Sequence, residues 1–394
     1  MQPAGDTFRD ARRTRERWAT YALYAAAVVV FGDMYLTQPI LPILSQEFGI
    51  APATAGLSVS AVVLLIAVAS VSYGSLSDSL GRKPVMVWST ALLTLPTLLC
   101  ALAPSFGALL AFRALQGLFI PGLTAVAVAY LGDLVEPRAL GAAVGGWIAA
   151  NVAGGLVGRV GSGLITDVYG WRGAFGVFAA LTLLSAIALA ATLPRDAHHM
   201  RGDWRAAYRG MASLLHDRRL MGGFIIGGGL FFGFLGFFTY LPYYLTGAPF
   251  SLSPGIVSLA YLSYLAGVIV SPIAGRLSER FSRRRLIAVG LGVAMLGIVL
   301  TLIPVLPVIV VCLFVLCTGM FTAQAVVPAY VNVAAPHSKG GAGALYLVFY
   351  YVGGTLGGVL PGLAWQNVGW IGVAGTCLAA FVIALLADWL LCRE

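Results

Sequence analysis

The sequence predicts an all-α membrane protein with twelve transmembrane helices, arranged as two six-helix repeats with both termini in the cytoplasm. Three observations lead to this fold class. Hydrophobic residues make up 59% of the 394 residues and charged residues only 10%, against about 25% charged in an average soluble domain. The apolar residues form long continuous runs. The basic residues fall almost entirely in alternate loops.

The apolar runs have the length of membrane-spanning helices. A span needs about 20 apolar residues, because every backbone N–H and C=O must be hydrogen-bonded inside the hydrocarbon. Continuous runs of this kind exclude the short alternating strands of a membrane barrel. Pro104 and Pro304 supply turns between spans that follow each other closely. The predicted spans are about 19–44, 54–76, 85–103, 107–131, 139–163, 173–194, 220–246, 254–275, 286–304, 307–333, 342–364 and 371–391.

The basic residues predict the orientation of these spans. If the N-terminus is inside, the basic tail (1–18), the central loop (195–219) and the other inner loops hold almost all arginines and lysines, and the outer loops hold essentially Arg172. This asymmetry is the positive-inside rule. It predicts two six-helix halves, 19–194 and 220–394, in a bacterial inner (plasma) membrane. The net charge of +9 is therefore assigned to the lipid bilayer and not to nucleic acid.

The two halves resemble each other at an offset of about 200 residues. Each matched pair falls at an equivalent depth of an equivalent span. The pairs are Pro42 with Pro242, Gly74–Asp78 with Gly275–Glu279, Gly154–Gly158 with Gly353–Gly357, and Gly170 with Gly369. Two six-helix halves of the same orientation resemble the architecture of the major facilitator superfamily, and this resemblance implies a substrate site near the bilayer midplane between the halves, with access that alternates as the halves rock.

The loop after the second span carries a specific motif. Residues 74–83 read GSLSDSLGRK, which resembles the G-x-x-x-D-(R/K)-x-G-R-(K/R) signature of the major facilitator superfamily, with Ser79 in place of a basic residue. The resemblance implies a cytoplasmic gate in which glycines pack closely and Asp78 pairs with an arginine across the gap between the halves. The alternative is that these residues are only inside-positive anchors. The predicted gate residues are Gly74, Asp78, Gly81, Arg82, Lys83, Gly275, Glu279 and Arg280.

Spans four and five carry two further motifs. Residues 109–117 read LLAFRALQG, which resembles the L-x-x-x-R-x-x-Q-G signature of proton-coupled members. Residues 146–155 read GWIAANVAGG, which resembles the antiporter signature G-x-x-x-G-P-x-x-G-G, except that Ala150 and Asn151 stand where its glycine and proline are expected. Asn151 together with Gly158 and Arg159 resembles the YnfM-like branch of drug and sugar efflux permeases. The resemblance therefore implies the major facilitator fold and proton-coupled efflux.

Charged residues inside the spans are candidates for proton coupling, because a charge at the bilayer centre is costly. Asp33 lies in the middle of span one and Arg113 in span four. We hypothesise that Asp33 binds and releases a proton, since burial favours the neutral carboxyl and a nearby arginine favours the carboxylate. A static ion pair is the alternative. Arg159 is expected to snorkel to the outer surface or to pair with Asp167.

A substrate cavity is predicted from polar and aromatic residues in spans that are central or lie at the interface between halves in this family. The polar candidates are Thr37, Gln38, Gln116, Asn151 and Gln324. The aromatic candidates are Phe231, Phe234, Phe238, Tyr261, Tyr264, Tyr346 and Tyr350. Together they indicate a site for small amphipathic organic molecules, because the several arginines of a dedicated phosphate site are missing.

The sequence thus predicts a proton-driven exporter of drug- or sugar-like compounds, with a small-molecule substrate, protons and the bilayer as its partners. Import by proton symport and lipid flipping on the same fold stay open, and a non-transporting membrane sensor is a more distant alternative. No phosphate loop, nucleophile–base set or metal-ligand spacing is present, so an enzyme, a cofactor and a metal site are not expected. A monomer is expected.

Overall fold

The computed structural model describes residues 4–136, 138–194, 213–336 and 338–392, and every regular element in these ranges is helical. Most of the predicted central loop, 195–212, therefore lies outside the described residues. The helices up to that loop are α1 (Ala4–Tyr35), a 3₁₀ turn (Gln38–Ile40), α2 (Leu41–Phe48), α3 (Pro52–Leu80), α4 (Arg82–Ala101), α5 (Phe106–Phe119), α6 (Pro121–Thr124), α7 (Ala127–Leu134) and α8 (Leu140–Thr192).

The helices after the central loop follow the same spacing. Pro104 and Pro304 lie in breaks between helices, as the sequence predicts. The elements are α9 (Arg218–Thr246), α10 (Pro254–Leu259), a 3₁₀ turn (Ala260–Tyr264), α11 (Leu265–Arg280), α12 (Arg283–Leu300), α13 (Leu306–Ala334), α14 (Lys339–Gly357), α15 (Leu360–Val368) and α16 (Trp370–Leu391).

Ten helices in the described ranges are long and apolar enough to cross a membrane. Two features account for the difference from the predicted twelve. The 53-residue helix α8 contains a non-helical residue, Gly170, with φ 70° and ψ 170°, where the sequence places the turn between spans five and six. Helix α12 has 18 residues and begins with three arginines, so its apolar stretch is short.

Several predicted spans are interrupted, and prolines lie at the interruptions. The first span breaks after Tyr35, and the chain restarts as a 3₁₀ turn that contains Pro39. The fourth breaks between Phe119 and Pro121. Proline has no N–H to donate and disfavours helical geometry in the residue before it. A break leaves backbone carbonyls without helical partners, and the first of these breaks shapes the site described below.

The described residues form two compact units. The first takes residues from Met1–Leu36 and Val68–Gly202, and the second from Thr37–Ala67 and Asp203–Glu394. This division differs from the predicted halves because residues 37–67 group with the C-terminal helices. Specific bonds explain the grouping: Gln38 Nε2 donates to Thr239 Oγ1 at 2.9 Å, and Ser60 Oγ donates to the Thr355 carbonyl at 2.7 Å.

In the first unit, glycines of α8 pack directly against α1. A Cβ on Gly154 would lie 2.6 Å from the Val28 carbonyl oxygen, and a Cβ on Gly158 would overlap the backbone of Gly32. Only glycine allows two helix backbones to approach this closely. The glycine motif of span five therefore fixes the contact between α1, which carries Asp33, and α8.

In the second unit, α14 packs on α9 through the equivalent glycines. A Cβ on Gly353 would overlap the backbone of Gly228, and one on Gly357 would lie 2.9 Å from the Phe232 Cα. These are the residues that the sequence repeat pairs with Gly154 and Gly158. The same local device thus recurs in both units, about 200 residues apart.

Candidate functional site

The site begins at the broken end of α1. Asp33 and Met34 are in the last turn of this helix, where the regular i→i−4 bonds stop, and the Asp33 carbonyl has only a long backbone bond, 3.5 Å, from the Leu36 N–H. Arg113 of α5 takes this place: its Nη1 donates to the Asp33 carbonyl at 2.9 Å and its Nη2 to the Met34 carbonyl at 2.6 Å. A guanidinium at a helix C-terminus is also favoured by the helix dipole.

The carboxylate of Asp33 is held by two neutral side chains. Thr97 Oγ1 of α4 donates to Oδ2 at 2.8 Å, and Gln116 Nε2 of α5 lies 3.1 Å from Oδ1 and 2.9 Å from Oδ2. Gln116 Oε1 accepts from Arg113 Nη1 at 2.6 Å. We call Asp33, Thr97, Arg113 and Gln116 the buried polar cluster. All four are fully buried.

The buried polar cluster forms a chain of hydrogen bonds from Arg113 through Gln116 to the Asp33 carboxylate. Because the amide nitrogen of Gln116 is only a donor, it satisfies the carboxylate but has no acceptor role toward a protonated carboxyl. The Thr97 hydroxyl can rotate and act either way. Protonation of Asp33 therefore changes the hydrogen bonds that Gln116 and Thr97 make to its side chain.

The structure brings together the two residues predicted for proton coupling, and it places Gln116, predicted for the cavity wall, between them. Thr97 was missed by the sequence analysis because a lone hydroxyl in an apolar span carries no motif. Its spacing offers a signal in retrospect: Thr90, Thr94 and Thr97 follow each other at helical intervals on α4, which marks a polar stripe.

Arg159 is a second buried cation of the first unit. Its side chain is 2% exposed, its guanidinium carbon lies 3.8 Å above the centre of the Tyr35 ring, and Nη1 donates to the Gly155 carbonyl at 2.7 Å. The expectation that Arg159 snorkels to the surface is therefore wrong. The reason is that Gly155 and Tyr35 provide a local acceptor and a cation–π surface inside the helix packing.

The cavity residues predicted around the end of α1 fall in the second unit. Gln38 is fully buried and bonded to Thr239. Thr37 is also fully buried, and its Oγ1 has no hydrogen-bond partner among the described residues. Asn151, in the first unit, is half-buried and its amide bonds to Trp147 of its own helix, with the amide oriented to donate to the Trp147 carbonyl.

The predicted aromatic residues make two ring clusters in the second unit. In one, Phe234 contacts Phe238 and Tyr264 with ring centres 5.0 and 4.9 Å apart. Tyr261 joins it at 5.6 Å from Phe238 and donates its hydroxyl to the Phe238 carbonyl. In the other, Tyr350 stacks on Phe231, at 4.1 Å and 4°, and on Tyr346, at 5.9 Å.

Two of the predicted gate residues, Arg82 and Lys83, bond to other residues of the first unit. Arg82 forms an ion pair with Asp133 and donates to the Ala129 carbonyl at 2.6 Å. Lys83 donates to the Ala190 carbonyl at 2.9 Å and also to that of Leu193. These two bases therefore hold the C-terminal ends of α7 and α8. Gly81, at φ 92°, makes the turn between α3 and α4.

The other predicted gate residues lie in more open surroundings. A Cβ on Gly74 or Gly275 would meet nothing within 4 Å, so the expected close packing at these two glycines is wrong for this conformation. The helix ends there stand apart from neighbours. Asp78 is half-buried, and Glu279 and Arg280 are exposed. A gating role for these residues stays a prediction.

A cavity of about 720 Å³ lies beside the middle of α1, within the first unit. None of the predicted site residues lines it. Its walls are Glu16, Arg17, Thr20, Tyr21, Tyr24, Val135, Glu136, Ala139, Ala142 and Ala143.

Comparison with known proteins gives a consistent family. A sequence profile described as Major Facilitator Superfamily matches residues 23–330 and 246–394. The inner membrane transport protein YnfM of Escherichia coli (strain K12) is 36% identical over 377 residues, which are 95% of this chain and 90% of that protein. The MFS-type transporter YybF of Bacillus subtilis (strain 168) is 32% identical over 380 residues, 96% of this chain and 94% of that protein.

Solved structures show the same fold. The crystal structure of a bacterial homolog to the human lysosomal transporter Spinster, in an inward-facing and unoccupied conformation, superposes with a TM-score of 0.80 at 18% identity. The match covers 95% of this chain and 96% of that one. At this identity, the likeness concerns the fold alone.

Proposed function

Because this chain belongs to the Major Facilitator Superfamily and is a membrane transporter rather than an enzyme, we propose that it is a proton-coupled secondary active transporter that exports small amphipathic organic compounds. We further propose twelve spans, cytoplasmic termini and a monomer in the bacterial inner membrane. The observation that carries the proposal is the buried polar cluster: one acid, fully enclosed, held by side chains of two other helices.

The buried polar cluster supports proton coupling because its bonding depends on protonation. As a carboxylate, Asp33 accepts from Thr97 and Gln116. As a neutral acid it keeps one acceptor oxygen but turns the other into a donor, so the Gln116 amide loses one of its two carboxylate contacts and the Arg113 charge loses a nearby anion. The protonation state thus alters bonds that tie α4 and α5 to the end of α1. In alternating access, such a change favours one conformation over the other.

The energy available is adequate for export. A proton that enters down a potential of about 100 mV releases roughly 2.3 kcal/mol. Because each tenfold concentration ratio requires about 1.4 kcal/mol, one proton per substrate supports a gradient of about 40-fold. The aromatic clusters of the second unit support the assignment to amphipathic organic substrates, since flat apolar groups pack well on aromatic rings.

Reconstitution in liposomes tests the proposal. The purified protein is inserted into vesicles that contain a pH-sensitive dye. A compound library is then screened for substrate-dependent proton flux. Asp33→Asn removes the titrating group and is expected to abolish that flux while leaving substrate binding measurable. Asp167→Asn is the matched control, because Asp167 is an exposed acid of the same unit.

Unchanged proton coupling in Asp33→Asn contradicts the proposal, as does substrate flux that ignores the pH gradient. The sign of the substrate movement relative to the proton gradient distinguishes export by antiport from import by symport.

A further inference from the structure

The aromatic residues between α9, α11, α13 and α14 are seated on glycines. The Tyr346 ring of α14 lies against Gly227 of α9, and the Phe231 ring of α9 lies against Gly354 of α14. Phe321 of α13 lies in the same way against Gly267 of α11, as the position of a Cβ at each glycine shows. Rings that rest on bare backbone have little freedom to move, so they form a preorganised apolar wall.

Two polar atoms lie at this aromatic wall without hydrogen-bond partners among the described residues: Gln324 Oε1 and the Tyr346 hydroxyl. Tyr346 is 5% exposed, and Gln324 is half-buried in the middle of α13. Close packing accounts for the rings but not for these atoms, because an unpaired buried polar group costs free energy that an apolar residue of similar size avoids.

Both unpaired atoms lie at one level of the unit. Gly223 of α9 packs against Val331 of α13, and Phe234 packs against Phe321. This antiparallel register places Gln324 level with Phe231. Gln324 also lies one turn from Phe321 on the same face of α13. The Tyr346 ring rests on Gly227, one turn before Phe231. An acceptor and a hydroxyl therefore flank the same stretch of rings.

The charge at this level narrows the ligand class. No residue of the two ring clusters is charged, and Asp388, near the end of α16, is the buried charged residue among the described parts of the second unit. Burying an ionised group against this wall is costly without a partner. The ligand that fits is flat, aromatic and uncharged, with an N–H or O–H donor for Gln324 and an acceptor for Tyr346.

We propose that the aromatic wall of the second unit binds uncharged planar aromatic compounds, with Gln324 Oε1 accepting a hydrogen bond from the ligand and the Tyr346 hydroxyl donating one to it. This proposal names a substrate class for the transport function proposed above and rests on it. In the present conformation both atoms are shielded from the surface, so the proposal requires the conformational change of the transport cycle to open the aromatic wall to the ligand.

Acridone and two relatives make a matched set of probes. Acridone is flat and neutral, with one N–H and one carbonyl. N-methylacridone keeps the rings and the carbonyl but loses the donor, and 10-methylacridinium carries a permanent charge. Binding to the purified full chain in lipid nanodiscs is followed by probe fluorescence at one pH, without a gradient. The result is therefore independent of whether Asp33 couples protons to transport.

Acridone is expected to bind about tenfold more tightly than N-methylacridone, as one hydrogen bond requires, and more tightly than 10-methylacridinium. Gln324→Leu is expected to weaken acridone to the level of N-methylacridone. Tyr346→Phe is expected to weaken both neutral probes alike, because both keep the carbonyl. Gln366→Leu, at an exposed glutamine of the same unit, is the control and should change neither.

Three outcomes overturn the proposal. If the wild-type protein binds neither neutral probe, or binds both equally, the site does not recognise the N–H donor of acridone. Tightest binding of 10-methylacridinium shows a cation site instead. If the Gln324→Leu protein is folded, as its melting curve reports, and still binds acridone more tightly than N-methylacridone, Gln324 is excluded as the acceptor. The wild-type comparison needs no variant, so the test stands even if a substitution prevents folding.

Discussion

Asp33 is distinguished by what surrounds its carboxylate. A buried carboxylate needs hydrogen bonds that compensate for lost water. Here these bonds come from α4 and α5, while Arg113 also bonds the carbonyls at the end of α1. One titrating group is thereby tied to three helices, and removing any one partner should change how readily it holds its proton.

Thr97→Val tests how much one hydrogen bond contributes to the protonation of Asp33. Valine has nearly the shape of threonine but cannot donate to Oδ2 of Asp33, so the carboxylate loses a charge-assisted hydrogen bond, whereas the neutral acid loses only a weaker one. The proton is then held to higher pH. We expect the pH midpoint of proton-coupled flux in liposomes to rise by roughly half to one unit, the equivalent of one hydrogen bond.

Thr94→Val serves as the control for Thr97→Val. Thr94 is on the same helix and half-buried, and its hydroxyl contacts the Thr90 carbonyl of its own helix at 3.5 Å. Its midpoint should match that of the wild type. Equal midpoints for Thr97→Val and the wild type would show that the hydroxyl does not influence the proton.

Charge was the reliable residue-level signal in the sequence. Asp33 and Arg113 stand out in apolar spans, and the structure brings them into one cluster. Thr97 and the ion-pair partner Asp133 did not stand out, because a hydroxyl is common in membrane helices and an acid near an inner loop is ordinary. Which hydroxyl faces which carboxylate depends on helix rotation, and rotation is set by packing.

At the scale of helices, the glycine contacts decide how α1 meets α8. Gly158→Ala places a methyl group against the backbone of Gly32, so the two helices must separate. We expect the free energy of unfolding to fall by about 1–3 kcal/mol, which is typical of overpacking, and the melting temperature of the purified protein to fall with it.

Gly161→Ala, three residues along the same helix, is the matched control for Gly158→Ala. A Cβ there meets nothing within 4 Å, and alanine favours a helix over glycine by about 1 kcal/mol. Its melting temperature should stay level or rise. If both variants melt alike, the close approach of α1 and α8 is not what makes Gly158 necessary.

The sequence predicted where helices lie better than where they break. Hydropathy places a span over 19–44, but α1 ends at Tyr35 because Pro39 and the residue before it disfavour continuation. Hydropathy does not register this, since it averages over the surrounding apolar residues and carries no information on backbone geometry. Likewise, Gly74 and Gly275 match a signature but have open space beside them, which only the arrangement of neighbouring helices decides.

For the whole molecule, the distribution of basic residues predicts which turns face the cytoplasm. The positive-inside rule places the turn after the second span in the cytoplasm and the break at Gly170 outside. The five native cysteines are all buried. A single new surface cysteine is therefore expected to dominate the reaction with a membrane-impermeant maleimide.

Ser79→Cys and Tyr169→Cys test which side of the membrane each of the two turns faces. Ser79 is exposed after span two, and Tyr169 is 75% exposed beside Gly170. In right-side-out vesicles, Tyr169→Cys should label at once and Ser79→Cys only after permeabilisation. The reverse pattern would invert the topology, and labelling of both from one side would mean that the number of crossings between them is even. Opposite sides require an odd number of crossings between residues 79 and 169, and α4, the α5–α7 segment and the part of α8 before Gly170 supply three. The glycine break is then a turn at the outer surface, and α8 contributes two spans rather than one.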